Sequence, residues 1–117
     1  MYQQVVLVGN VGVEPAMSYT PEGTPVTNFT VATNRRWRGA DGEQREKTVW
    51  FRVVAWKHLA EVCAQMVRKG MLVLVVGELS EPRLYQAKSG EWRASLEITA
   101  TTIKFLGGKE GVEDIEF

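Results

Sequence analysis

Metal and nucleophile chemistry has almost nothing to draw on in this chain. One cysteine, Cys63, and one histidine, His58, stand in 117 residues. A zinc centre needs several Cys or His ligands, and an internal disulfide needs two cysteines. Five positions apart on a helix, His58 and Cys63 lie about 140° apart around its axis, so they do not converge as nucleophile and base. The acids are scattered through polar segments with no evident pair. Long apolar runs are also missing. No stretch of about 18 apolar residues exists, which excludes a membrane-spanning helix. Met1-Tyr2-Gln3-Gln4-Val5 has no basic region ahead of an apolar stretch, so no secretory leader is expected. Gly9-Asn10-Val11-Gly12 lacks the following Lys-Ser/Thr of a phosphate loop and reads as a turn. Catalysis, a metal, a cofactor and a small-molecule substrate are therefore not expected.

Net charge is absent too, but its distribution is uneven. Met1 to Leu106 carry 13 Lys/Arg and 10 Asp/Glu, a net +3. Gly107 to Phe117 carry one Lys and four acids, a net −3. The chain divides on this basis into a folded body, 1–106, and a short, flexible acidic tail, 107–117.

What is present is mostly strand-like. Val5 to Val8 form a short apolar run closed by Gly9-Asn10. Pro21, Gly23 and Pro25 mark a hairpin connection into the β-branched run Val26 to Thr33. Arg35 to Lys47 is polar, with Gly39, Asp41 and Gly42, and reads as a long exposed loop. Val49, Phe51, Val53 and Ala55 share one face of the next strand, while Trp50, Arg52, Val54 and Trp56 share the other. Then the period changes. Leu59, Val62, Cys63, Met66 and Val67 form one stripe of a helix over about Lys57 to Lys69, with Arg68 and Lys69 in its last turn and Gly70 closing it. A further apolar strand ends near Gly77. A hairpin turning at Ser89-Gly90 leads into a final strand where Leu96, Ile98, Ala100 and Thr102 alternate with polar residues. The order strand, strand, strand, helix, strand, strand predicts an all-β fold. It is a five-stranded Greek-key barrel of the OB type with one helix between strands 3 and 4. An open five-stranded α+β sandwich is the alternative.

Aromatic residues interleave with cations along this frame. Trp37 lies within Arg35-Arg36-Trp37-Arg38. Trp50 and Trp56 flank Arg52, Lys57 follows Trp56, and Tyr85 follows Arg83 in a hairpin arm that also holds Lys88. Single-stranded nucleic acid is gripped by this combination, bases stacking on rings while Arg and Lys follow the phosphates. Stacking does not depend on which base is present, so the grip tolerates any sequence. Burial is the competing explanation for Trp50 and Trp56, but the all-apolar opposite face has the better claim to the interior. Trp92, beside Arg93, reads equally as a packing residue at a hairpin tip.

The same residues resemble the bacterial single-stranded DNA-binding protein family over essentially the whole chain. The matching segments are VVLVGNVGVEPAMSYTPEGTPVTNFTVATN, RRWR, TVWFRVVAWKHLAEVCAQMVRKG, VLVVGEL and the terminal EDIEF. The resemblance implies an OB fold, a homotetramer and sequence-independent binding of single-stranded DNA in replication, recombination and repair. It implies a cytoplasmic, nucleoid-associated bacterial protein. Trp37, Trp50, Trp56 and Tyr85 match base-stacking sites, and Phe51 matches a subunit-interface site. Glu113, Asp114, Ile115, Glu116 and Phe117 match an acidic tip through which the family recruits replication, recombination and repair proteins. Arg35, Arg36, Arg38, Arg52, Lys57, Arg83 and Lys88 are the expected phosphate contacts. The family's long linker is here reduced to Gly107 to Val112. Two other readings compete: a primosome-type accessory or interaction subunit on the same fold, and, more weakly, an OB-fold nuclease.

Overall fold

A computed structural model describes residues 1–107. The elements run β1 (Val5–Val11), β2 (Ala16–Tyr19), β3 (Pro25–Arg38), β4 (Gln44–Trp56), α1 (His58–Met66), β5 (Leu72–Leu79), β6 (Arg83–Gln86), β7 (Trp92–Ser95) and β8 (Glu97–Gly107). Five strands close into a barrel in the order β1-β5-β8-β4-β3, and β3 returns to β1 through Asn10↔Ala32 and Val11↔Val31. Strands β4 and β8 pair in parallel from Arg52 to Val54, and the other pairings are antiparallel. This is the expected OB barrel, with the helix between its third and fourth wall strands. Strand β2 continues along β3 after Gly12 to Pro15 leaves the ladder. Strands β6 and β7 form a separate two-stranded sheet between β5 and β8.

Alternation decides what fills the barrel. Phe29 and Val31 of β3, Val53 and Ala55 of β4, Val73 and Val75 of β5, and Ile98 and Ala100 of β8 all point inward and are buried. On β8 the alternation changes phase. Gly77 pairs with Ala100 and Val76 with Thr102, so Thr101 is an extra residue in a β-bulge. Beyond it Ile103 and Phe105 pack on the core, while Thr102 is exposed. The inward face expected from Leu96 to Thr102 thus ends at the bulge.

Helix α1 plugs one end. The Thr27 hydroxyl donates 2.7 Å to the Ala60 carbonyl, tying the helix to β3. Ala60, Cys63 and Val67 are buried, whereas Met66 is exposed. The helix stops at Met66, short of the expected Lys69, because Val67 turns extended and inserts its side chain into the core. Arg68 and Lys69 therefore lie beyond the helix. Gly70, at φ 87°, serves the turn into β5, where the Met71 N–H donates to the Arg68 carbonyl.

Burial pushes the Cys63 thiol from 9.0 to about 11. The folded thiol thus holds its proton where the unfolded one releases it. Below pH 9.0 that contribution is intact; between 9.0 and about 11 it is lost. The loss amounts to at most about 3 kcal/mol. Urea melts across this range are expected to show a fall in stability that Cys63→Ala lacks.

Candidate nucleic-acid interface

The outer surface of β4 holds three of the candidate residues, Trp50, Arg52 and Trp56. Directly opposed residues of an antiparallel pair share a face. The register Trp56↔Val26, Arg52↔Thr30, Trp50↔Ala32, Glu46↔Arg36 and Gln44↔Arg38 therefore groups Trp50, Arg52 and Trp56 with Arg36 and Arg38. Trp50 is 55% exposed and Trp56 43%, while Phe51 and Val53 between them face inward. Trp50 and Trp56 stand about 20 Å apart along β4, six residues at strand rise, too far for one base to touch both.

Trp37 lies on the other face. It opposes Arg45 and shares that side with Arg35 and Lys47. The Arg35 guanidinium sits 5.5 Å from the Trp37 ring centroid, within cation–π range. The segment expected as a long loop is mostly ladder: β3 and β4 stay paired out to Arg38↔Gln44, and only Gly39 to Glu43 turn. This ribbon extends past the core, so neither face needs apolar residues and no period of two marks it. Trp37 and its three arginines are thus held on a strand. Arg45 and Lys47 join Trp37 there; the polarity of the segment masked their register.

Tyr85 and Arg83 share a face of the β6–β7 hairpin, with Arg93 directly opposite Tyr85. Arg93, 3.3 Å from Glu91, is a further cation on that face, readable by counting outward from the Ser89-Gly90 turn. The hairpin's root adjoins Arg52, whose N–H donates to the Leu96 carbonyl at 2.8 Å. Lys88 is exposed in the tip between β6 and β7. The expected aromatic groups therefore stand on three surfaces: the outer face of β4, the opposite face of the ribbon, and the hairpin.

The cations differ in their surroundings. Arg36 lies 3.7 Å from Glu46, and Arg52 lies 3.7 Å from Glu97. Among the described residues no carboxylate lies within 4.0 Å of Arg35, Arg38, Lys57, Arg83 or Lys88. Lys57 has φ 59° and ψ −132°, a backbone conformation that costs a residue with a Cβ about 1–3 kcal/mol. It sits between Trp56 and the helix, with its N–H donating 2.9 Å to the Pro25 carbonyl. Among the described residues no group of three His, Cys, Asp or Glu is placed to hold a metal.

Gly12 sets the position of Trp50. A Cβ at residue 12 would collide with the six-membered ring of Trp50 and crowd the Thr30 hydroxyl. The indole therefore lies against the bare backbone of Gly12, beside a buried Thr30 Oγ1 that has no hydrogen-bond partner among the described residues. Gly12→Val is expected to push the ring aside and weaken oligo-dT binding about tenfold, the loss of one stacked base at the low end. Anisotropy titration measures this with Trp50 still present.

Phe51 is half-buried. With Val6, Leu7, Val8 and Thr33 it lines a cleft where β1 parts from β3. From Val5 to Gly9 that side of β1 has no paired strand among the described residues. The expected acidic tip, Glu113, Asp114, Ile115, Glu116 and Phe117, lies outside the described residues.

With this geometry in place, known proteins give the comparison. Residues 2–106 match the single-strand binding protein family. The single-stranded DNA-binding proteins of two Neisseria meningitidis strains are 38% identical over 106 residues, 91% of this chain. The chain spans 60% of the length of those relatives. Among solved structures, the Plasmodium falciparum SSB in complex with ssDNA superposes with a TM-score of 0.75 at 27% identity, covering 91% of this chain and 96% of that one. The small single-stranded DNA-binding protein of Streptomyces coelicolor gives 0.73 at 27% identity, covering 88% and 93%. From a match across nearly all of the barrel, together with the barrel's own topology, it follows that this chain belongs to the single-strand binding protein family.

Proposed function

We propose that the chain is a non-enzymatic binder of single-stranded DNA, without sequence preference, that protects strands exposed during replication, recombination and repair in the bacterial cytoplasm. One observation carries the reading. The outward face of β4 presents Trp50, Arg52 and Trp56 to solvent, with only Val54 buried on that side, while Phe51, Val53 and Ala55 of the inward face pack on the core. Exposing two tryptophans is costly for a barrel that has apolar residues to spare, and stacking on bases is the use that repays it. Trp37 and Tyr85 add rings on the ribbon and the hairpin. Arg35, Arg38, Lys57, Arg83 and Lys88 meet phosphates directly. Arg36 and Arg52 must first exchange a carboxylate for a phosphate, so their net contribution is smaller. Anisotropy titration with oligo-dT, oligo-dC and a duplex of equal length tests this. Comparable affinity for the two single strands and much weaker duplex binding are expected. Equal affinity for duplex contradicts the reading.

The open edge of β1 and the cleft beside Phe51 support assembly into a homotetramer, since an unpaired edge next to apolar surface invites a second chain. Light scattering gives the mass. The acidic tip is read as a partner ligand: Ile115 and Phe117 enter an apolar pocket, while Glu113, Asp114 and Glu116 meet its basic rim. Removal of the last five residues is expected to leave oligo-dT affinity unchanged or tighter. Co-purification of DNA-processing proteins from host extract is expected to fall to background. A collapse of DNA binding would make the tip structural.

A further inference from the structure

The outward face of the β3–β4 pair is a ladder of opposed residues. Trp50 opposes Ala32, and the next rung along the ribbon is Thr48 opposite Asn34. Both residues of that rung are exposed. Arg36 and Glu46 form the rung beyond it. One uncharged polar rung therefore separates Trp50 from the charged end of the ribbon.

The course of the indole brings it beside that rung. Gly12 lies on the far side of β3 from β4, with its N–H donating 2.9 Å to the Thr30 carbonyl. Cζ3 and Cη2 of Trp50 reach Gly12. The ring therefore crosses β3 above Ala32, whose small side chain leaves room for it. Thr30 and Asn34 are the same-face neighbours of Ala32 along β3, so each flanks the ring. Thr30 Oγ1 is buried at one flank, and Asn34 is open to solvent at the other.

The Asn34 amide is oriented. The Thr48 hydroxyl donates 2.7 Å to Asn34 Oδ1. That occupies the amide oxygen and leaves Nδ2, with two N–H donors, as the outward polar atom. A base stacked on the ring projects its edge past the indole, and Asn34 is a diagonal neighbour of Trp50 across the pair. Bases differ in what that edge offers. Thymine, cytosine and guanine each carry an exocyclic carbonyl oxygen, whereas adenine has an amino group and ring nitrogens. A group that only donates separates the first three from the last.

We propose that Asn34 is a base-edge contact. Its amide donates to the exocyclic carbonyl oxygen of the base stacked on Trp50, and Thr48 holds it in the orientation to do so. This one subsite therefore disfavours adenine. The inference rests on the reading of the chain as a single-stranded DNA binder. The grip as a whole stays tolerant of sequence, since stacking and phosphate contacts are open to every base.

Titrations of the full chain with oligo-dI and oligo-dA of equal length test it. Hypoxanthine keeps the purine frame of adenine and carries a carbonyl oxygen in place of the amino group. The quantity read is the ratio of the two affinities, in which any difference between the free strands is common to wild type and variant. Asn34→Ala is expected to lower the dI/dA ratio about fivefold, the change that about 1 kcal/mol supplies for one neutral hydrogen bond. Asn34→Asp, which accepts from an amino group, is expected to lower it further. Thr48→Val is expected to lower it part of the way. A merely structural role would change both affinities alike and leave the ratio where it was. A ratio that Asn34→Ala leaves unchanged overturns the inference. A ratio that rises overturns it as well, since the amide would then present its oxygen. If the wild-type chain binds neither strand, the DNA-binding reading itself fails and takes this inference with it.

Discussion

Alanine at both Trp50 and Trp56 is expected to weaken oligo-dT binding by about 10²- to 10⁴-fold, from roughly 1–3 kcal/mol per stacked base. Each single variant is expected to lose about 10- to 100-fold. Stability is expected to stay nearly unchanged, because both rings are well exposed and the core lies on the opposite face of β4. The separation of the two effects is the point. A tryptophan that served packing would lose stability first and affinity only as a consequence. Thermal melts beside anisotropy titrations measure both. Variants that bind within about threefold of wild type would remove β4 from the interface.

The second large effect concerns the wall that holds β4 in place. Gly77 lies where β5 meets the bulge of β8, and a Cβ there would strike the Thr99 carbonyl and the Ala100 backbone. Neither neighbour is the end of a flexible side chain, so the clash is relieved only by opening the β5–β8 seam. Gly77→Val is expected to cost about 4 kcal/mol or more. That corresponds to a fall in Tm of roughly 15 °C or more for a domain of this size. Differential scanning calorimetry measures it. A variant melting within a few degrees of wild type would mean that the seam yields easily. The seam matters for function because β8 also carries Glu97, which pairs with Arg52, and leads back to the root of the hairpin that bears Tyr85.

The parts of this molecule that were legible from residues alone are those with a core on one side. Strand β4 is the clearest case: Val49, Phe51, Val53 and Ala55 against Trp50, Arg52 and Trp56 is a period of two with an obvious inside. The helix was legible for the same reason at its own period, through Leu59, Val62 and Cys63. Its end was not. Arg68-Lys69-Gly70 has the composition of a helix terminus, but tertiary packing draws Val67 into the core and stops the helix sooner. The β3–β4 ribbon was illegible because both its faces meet water. The bulge at Thr101 was illegible because one extra residue flips the face without changing composition. For the site, the residue types pointed to their chemistry, but register decided their grouping. Only the pairing Trp50↔Ala32 places Trp37 on the opposite face of the ribbon. Only the pairing Tyr85↔Arg93 separates Tyr85 from Trp92.

Placing rings on both faces of the ribbon and on a separate hairpin has a consequence for how a strand is held. On the proposed reading, a strand that stacks on Trp37, Trp50 and Tyr85 passes from one face of the ribbon to the other and on to the hairpin. It would use the rings as separate stacking points and leave the phosphates to the cations that have no carboxylate partner among the described residues. Stacking of this kind tolerates any sequence.

Intrinsic tryptophan fluorescence during titration with oligo-dT tests the central claim most directly. Stacking on Trp50, Trp56 and Trp37 predicts strong, saturable quenching. The five expected phosphate contacts that have no carboxylate partner among the described residues predict that log K falls with log salt at a slope of about −3 to −4. Quenching is expected to shrink greatly in the Trp50→Ala, Trp56→Ala double variant. Fluorescence that stays constant as oligo-dT saturates the protein, or an affinity indifferent to salt, would contradict the account.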